Sequence, residues 1–296
     1  MEKIKELYNH FIASKGVSTD SRKVVKDELF FALSGENFNG NKFAADALES
    51  GASICIIDDI NYHNGKGYFL VDNVLAALQD LSRYHRTKCK VKVMAITGSN
   101  GKTTTKELIS TVLKSHTDII STEGNFNNHI GVPLTLLKIK DTTKIAVVEM
   151  GANHIGEIDF LCSLALPDVG LITNIGKAHL DGFGSFEGVI TAKNELYNHI
   201  RETHGHLILN ADDSLLVKLS EGIYNTTYGK NNADIEGEIV KSVPLLNIRW
   251  GTNQRVYECK SQLYGNYNFP NIMAAIATGD FFGVDEKTIN SSIESY

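Results

Sequence analysis

The sequence lacks most of what would build a secreted, membrane-bound or nucleic-acid-binding protein. Among 296 residues there are only four cysteines, Cys55, Cys89, Cys162 and Cys259, and no two of them form a CxxC pair. That pattern argues against a zinc or disulfide framework and for free thiols in a reducing compartment. No run approaches the ~18 consecutive apolar residues of a membrane-spanning helix. The opening stretch, MEKIKELYNHFIASKG, spreads charge throughout and builds no apolar h-region, so no signal peptide is expected. Excess positive charge is also missing: 29 Lys and Arg against 35 Asp and Glu leave a net charge of -6. No nucleic-acid or membrane partner is therefore expected, because both present polyanionic surfaces. There is no internal repeat and no low-complexity segment. The expected protein is cytoplasmic and, with nothing asking for an obligate interface, monomeric.

What remains is the composition of an ordinary globular protein, 42% hydrophobic and 22% charged, at a length that suits two domains. Ile4, Leu7, Tyr8, Phe11 and Ile12 follow helical spacing. Short apolar runs follow at Leu29–Leu33, Ile54–Ile57 and Tyr68–Val71. Phe43–Ser50 reads as a helix ended by Gly51. This is a small mixed α/β domain over residues 1–85, with Leu75–His85 as a helix leading out and the polar stretch Arg86–Lys90 as the boundary. Over residues 86–296 strand-like and helical runs alternate: Val91–Thr97, Lys102–Lys114, Ile145–Met150, Val169–Thr173, Leu207–Asn210. That alternation is the mark of an α/β fold with a mostly parallel sheet. After Tyr224 a small antiparallel extension is expected, with Val256–Cys259 pairing back on Leu246–Trp250 across Gly251–Gln254. Pro270 then opens a last strong helix.

The strongest chemical signal is the run from Val91 to Thr105, in which an apolar strand enters the turn Gly98-Ser99-Asn100-Gly101 and then a helix beginning Lys102-Thr103-Thr104. Backbone N–H groups in such a turn, with a helix N-terminus behind them, make a nest for phosphate oxygens. Lys102 suits the β- and γ-phosphates, and the Thr103 hydroxyl suits Mg²⁺. The spacing is GxxGKT; the wider P-loop pattern would need glycine where Ile96 stands. A plain βα turn is the competing reading, and the strand and helix on either side argue against it. In a second motif, the apolar strand Ile145–Val148 ends in Glu149, where sheet-end ligands bind, so Glu149 is a candidate for Mg²⁺. A surface salt bridge is the competing reading. A third, Thr173-Asn-Ile-Gly-Lys-Ala-His179-Leu-Asp181, follows another such strand. His179 could ligate a second metal, with Asp181 as its orienting carboxylate, although a lone histidine is more often structural. By composition alone, Lys193 in Thr191-Ala-Lys-Asn-Glu195 is a solvated helix lysine.

Together these residues resemble the Mur ligases, the ATP-dependent enzymes that build the peptide stem of peptidoglycan. The resemblance rests on TGSNGKTTTKE at 97–107, EGNFNNHIGVPLTLL at 123–137, EMGANHIGEI at 149–158, TNIGKAHLDGFGS at 173–185 and AKNELY at 192–197, and it spans nearly the whole chain. GNFNNHIGVPLTLL and EMGANHIGEI point to the member that joins D-alanyl-D-alanine to UDP-N-acetylmuramoyl-tripeptide. The resemblance implies that Gly98, Ser99, Asn100, Gly101, Lys102, Thr103 and Thr104 bind ATP. It implies that Thr103, Glu149 and His179 hold Mg²⁺. Lys193 matches a lysine that the family carbamylates, which requires a neutral amine and so a burial-lowered pKa; the resulting anion would help hold the second Mg²⁺. Lys102, Lys193 and His179 are thus the implied catalytic set. Asn268 and Asn271 fall on the asparagines of the adenine-side motif PGxHNxxN, in which Tyr264 here stands for Pro and Tyr267 for His.

In the first domain, Ser18-Thr19-Asp20-Ser21-Arg22 resembles the loop that holds the UDP moiety, with Arg22 as a bidentate donor, and Gly35–Gly40 resembles its companion. A surface arginine is the competing reading of Arg22. Asn125, Asn127 and Asn128 would contact the muramoyl substrate. A third, C-terminal domain is implied by the family, and the chain stops at Tyr296, about where the linker to it would begin, so weak turnover is expected. Three alternatives stay open: another ligase of this fold, such as a sister Mur ligase or a folylpolyglutamate-type enzyme; a P-loop kinase or NTPase; and a non-catalytic nucleotide-binding module.

Overall fold

Apolar residues at helical spacing make α1 (Glu2–Ala13), which buries Leu7 and Phe11. The computed structural model describes residues 2–176, 180–252 and 255–296, leaving aside the side chains of Leu180 and Asp181. The chain divides into two compact units, residues up to Cys89 with His129–Ile139, and Lys90–Asn128 with Lys140–Tyr296.

The first unit holds strands β1 (Val17–Ser18), β2 (Leu29–Phe31), β3 (Ser34–Gly35), β4 (Phe38–Asn39), β5 (Ile54–Ile57) and β6 (Tyr68–Leu70), with helices α2 (Ala44–Glu49) and α3 (Val74–Lys88). β1, β2, β5 and β6 pair in that order, all parallel, and β3–β4 is a separate antiparallel hairpin. Period-two alternation sorts the two faces. Leu29, Phe31 and Ile56 share a core with Leu7, Phe11, Leu78 and Leu81, whereas Phe30, Cys55 and Ile57 pack with Ala44 and Ala47 of α2. The boundary expected after residue 85 falls inside α3, which runs on to Lys88. Its basic last turn suits a helix C-terminus, and Arg86, read as linker, is buried. Leu137, with Ile130 and Leu134, packs into the first core from far along the sequence. These residues form or flank α5 (Gly131–Leu136), which follows α4 (Lys102–Lys114) in the chain.

In the second unit nine strands form one sheet. They are β7 (Lys92–Thr97), β8 (Ile119–Ser121), β9 (Ile145–Glu149), β10 (Val169–Ile172), β11 (His206–Asn210), β12 (Tyr224–Gly229), β13 (Ile235–Lys241), β14 (Asn247–Thr252) and β15 (Arg255–Lys260). Their order is β15-β14-β13-β12-β11-β10-β7-β9-β8. Pairing is parallel from β8 across to β13 and antiparallel in β13–β14–β15. The expected extension is therefore present, with Ile248 opposite Cys259 and Trp250 opposite Tyr257. The helices are α6 (Glu157–Ala165), α7 (Leu180–Phe183), α8 (Phe186–Glu202), α9 (Ser214–Leu219), α10 (Phe269–Phe281) and α11 (Glu286–Glu294). Met94, Ile96, Val147 and Leu171 join a core with Leu108, Ile109, Val112 and Leu113 of α4 and with α10 and α11. Among the described residues, no helix is long and apolar enough to cross a membrane.

Candidate functional site

β7 ends at Thr97 with β9 on one side and β10 on the other, and the strand order reverses direction there. In open parallel sheets, ligands bind in the crevice beyond the strand ends at such a reversal. The turn that follows can only be made with glycine at two places. Gly98 sits at φ +144°, and a Cβ there would strike Thr173 Oγ1; Gly101 sits at φ +78°, where a Cβ would lie 2.7 Å from Asn271 Oδ1. The loop is clamped to the segment after β10. Ser99 N–H donates to Asn174 O and Asn100 N–H to Asn174 Oδ1, both at 3.0 Å. Thr173 Oγ1 donates to Asn100 O at 2.7 Å, and Ser99 Oγ exchanges hydrogen bonds with Gly176 O and N at 3.1 and 2.9 Å. The amides of Ser99 and Asn100 are thus engaged inside the protein. The N–H groups opening α4, from Lys102 to Thr104, have no intrahelical partner and form the anion-attracting end. Lys102 Nζ folds over the turn, donating to Gly98 O at 2.7 Å and Ser99 O at 3.2 Å. Burial lowers its pKa and the nearby Glu149 charge opposes that shift.

Glu149 ends β9 and is 1% exposed. Its Oε1 accepts from Thr103 Oγ1 at 3.2 Å and from Asn127 Nδ2 at 2.8 Å. Its Oε2 is buried with no hydrogen-bond partner. An uncompensated buried carboxylate oxygen is costly, and here it lies beside a threonine hydroxyl at a phosphate-type turn. The donor set fits Mg²⁺, which takes one or two carboxylates, keeps waters and shares phosphate oxygens. Among the described residues no group of three or more His, Cys, Asp or Glu could enclose a metal alone. His179 lies outside the described residues, as does the Asp181 side chain.

Lys193 corrects the reading from composition. It is 2% exposed on α8, with its Nζ 5.3 Å from the Phe183 ring centroid. Burial first, and the Lys102 charge second, push its pKa down to about 8. The helix turns this position inward among Val189, Ala192, Leu196 and Tyr197. Glu195, two residues on, accepts Gly156 N–H at 2.6 Å and Asp159 N–H at 2.9 Å. It caps α6 from α8 and so closes the loop that leaves Glu149. Asn268 and Asn271 are buried and serve each other: Asn271 Nδ2 donates to Asn268 Oδ1 at 2.9 Å, and Thr105 Oγ1 donates to Asn271 Oδ1 at 3.1 Å. They tie α10 to α4. Asn125 is exposed and its carbonyl accepts Asn127 N–H at 2.7 Å; Asn128 is exposed beside it. Sequence reasoning missed Lys106, a fully buried lysine on α4. Its signal was a charge on the apolar stripe it shares with Ile109 and Leu113.

In the first unit, Asp20 caps the short turn Ser21–Lys23, with Thr19 half-buried before it. Arg22 is bidentate, but to its own neighbour: Nε and Nη2 donate to the two Asp20 carboxylate oxygens, both at 2.9 Å. That contact holds the Asp20 carboxyl down to about 2. The hairpin loop is held by Asn39 Oδ1, which accepts from Asn41 N and Nδ2, both at 2.9 Å. Exposed Phe38 stacks on Phe43 at 5.4 Å.

Residues 14–92 match the Mur ligase family, catalytic domain, and residues 96–279 match the Mur ligase middle domain. The UDP-N-acetylmuramoyl-tripeptide--D-alanyl-D-alanine ligase of Bacillus subtilis is 40% identical over 91% of this chain and 59% of its own length. Among solved structures, MurF from Acinetobacter baumannii superposes with a TM-score of 0.85 at 31% identity, covering 98% of this chain and 67% of that one. MurF ligase from Thermotoga maritima in complex with ADP gives a TM-score of 0.82 at 29% identity, over 95% and 66% of the two chains. The chain spans about three fifths of the length of the Bacillus relative.

Proposed function

The chain belongs to the Mur ligase family, and on that premise we propose that it carries the ATP-binding and UDP-substrate-binding parts of a D-alanyl-D-alanine-adding ligase of peptidoglycan precursor synthesis. The observation that carries this reading is the buried Glu149 carboxylate beside Thr103 at the glycine turn, together with a Bacillus subtilis relative named for that reaction.

In the proposed reaction the terminal carboxylate of UDP-N-acetylmuramoyl-tripeptide attacks the γ-phosphate of ATP, giving an acyl phosphate and ADP. The free amine of D-alanyl-D-alanine then attacks the acyl carbon, and phosphate leaves. Such transfers are governed by positioning and charge stabilisation. The turn Gly98–Gly101, held to the segment after β10 by its Ser99 and Asn100 amides, sets the start of α4 so that the helix's first N–H groups face the phosphates. Lys102 swings its ammonium from the Gly98 carbonyl onto them. Thr103 and Glu149 would hold Mg²⁺, and the ion would supply charge neutralisation at the phosphates. Lys193, buried with a lowered pKa, is suited as the neutral amine to add carbon dioxide through Nζ, releasing one proton to solvent, and the carbamate would hold a second Mg²⁺ with His179. Asn268 and Asn271 shape the adenine side. Asp20 and Arg22 form the UDP loop with Thr19 and Ser21, and Asn125, Asn127 and Asn128 meet the muramoyl peptide.

Calorimetric titration tests the assignment. UDP-N-acetylmuramoyl-tripeptide is expected to bind saturably and to lose at least tenfold in affinity on Arg22→Ala, roughly 1.4 kcal/mol. Mg-ADP is expected to lose its binding on Lys102→Ala. Nucleotide binding with no response to the UDP-peptide would overturn the substrate assignment and favour a plain nucleotide-binding module.

A further inference from the structure

Lys106 is fully buried in the second turn of α4, one turn beyond Lys102. A buried ammonium persists only where it is paired and hydrogen-bonded. Its Nζ donates to Thr122 O at 2.6 Å and meets Glu107 Oε1 at 2.7 Å. Thr122 stands where β8 gives way to the loop bearing Asn125 and Asn127. Its own N–H donates to Val147 O on β9, and its hydroxyl accepts the N–H of Glu149, both at 3.0 Å. Asn127 then returns from that loop to donate to Glu149 Oε1. Two successive contacts thus run from Lys106 through Thr122 to the backbone of Glu149, and the loop that leaves Thr122 returns a third, from Asn127, to the Glu149 carboxylate, all inside the second unit. The phosphate-type turn, by contrast, is served by Lys102 on the preceding turn of the helix.

We propose that Lys106 is a positioning residue for the divalent-cation site: it fixes Thr122, and through Thr122 the carboxylate of Glu149 and the departure of the Asn127 loop. The inference rests on the reading of Glu149 as the magnesium carboxylate. Residues one step behind a metal ligand commonly set its affinity by about 10–100-fold. The Lys106 ammonium is taken up by Thr122 O and Glu107, so its removal should weaken the metal without weakening the metal-free nucleotide.

The test measures Mn²⁺ binding by electron paramagnetic resonance in the presence of saturating adenylyl imidodiphosphate, and binding of that analogue in EDTA by calorimetry. Lys106→Met and Thr122→Val are compared with the parent; the second keeps the Thr122 carbonyl and removes only its hydroxyl. Both variants are expected to lose about tenfold in Mn²⁺ affinity and to bind the analogue in EDTA as the parent does. The double variant is expected to be no weaker than Lys106→Met alone, because the two act in series. Unchanged Mn²⁺ affinity in the folded variants overturns the proposal, as does a parallel loss of metal-free analogue binding. If Lys106→Met fails to fold, Thr122→Val decides alone. A parent that binds analogue but no Mn²⁺ overturns the Glu149 reading and this inference with it; a parent that binds Mn²⁺ and variants that match it overturn this inference only.

Discussion

A lysine that lies 2% exposed on a helix is the residue on which the proposed chemistry turns. The Lys193 pKa is lowered from 10.5 to about 8 by burial and by the Lys102 charge. Below pH 8 the amine is protonated in both folded and unfolded chains, and the full cost of burying the ammonium is present. Between about pH 8 and 10.5 the folded chain sheds the proton and the unfolded chain keeps it, so that cost fades as pH rises. In buffer freed of carbon dioxide, Lys193→Met is therefore expected to be more stable than the parent at pH 7, by roughly 3 kcal/mol. The gap should close toward pH 10.5, as read by urea unfolding across that range; a gap that widens with pH contradicts the assignment. The glycine turn, Lys102, Thr103 and Glu149 were legible in the sequence because their spacing carries their chemistry. Lys193 was reached through the family resemblance alone, since the composition of a helix of mixed polarity does not say which lysine faces inward. The engagement of Arg22 by Asp20, two residues away, was not legible, because only side-chain geometry decides it.

Helix α6 begins at Gly156 with no side-chain cap of its own. Its first amides are satisfied instead by Glu195, reaching across from α8. A cap supplied by a distant element joins two helices and closes the loop from Glu149 in one contact. Glu195→Ala should cost about 1–2 kcal/mol, as loss of a side-chain cap does, measured by urea denaturation; a change within the error of the fit would mean that water replaces the carboxylate at no cost. Strands and helices with strong periodicity were legible, among them β5, β7, α4, β9 and α10. The pairing of β14 with β15 was legible too, since Ile248 and Trp250 share a face. Several elements were not, and four show why. β8 has three residues, too few to show a period. α11 is rich in Ser, Asn and charge, and only Ile289 and Ile293 mark its apolar face. β12 carries Asn and two Thr between tyrosines, and β13 alternates weakly around Gly237.

At the scale of the molecule, the sequence-based division into two parts was close in number but not in membership. Its order along the chain is broken by His129–Ile139, which belong with the first unit although flanked by residues of the second. The apolar residues of 130–137 do not name their packing partner, because packing partners are set by the whole fold. Residues 1–89 expressed alone are expected to show no cooperative thermal unfolding, since Ile130, Leu134 and Leu137 are missing from their core. Adding a peptide spanning residues 129–139 should restore a transition, followed by circular dichroism. A sharp melt of residues 1–89 by themselves would contradict this.

The same interleaving bears on synthesis. A ribosome delivers α1, α2 and α3 with all of the first unit's strands before it makes a single residue of α5. Domains usually finish folding in the order they emerge. Here the N-terminal unit must wait, its apolar face incomplete, while Lys90–Asn128 of its neighbour pass through the exit tunnel. The interval until Ile139 is released is therefore when a nascent chain of this protein has most need of a chaperone.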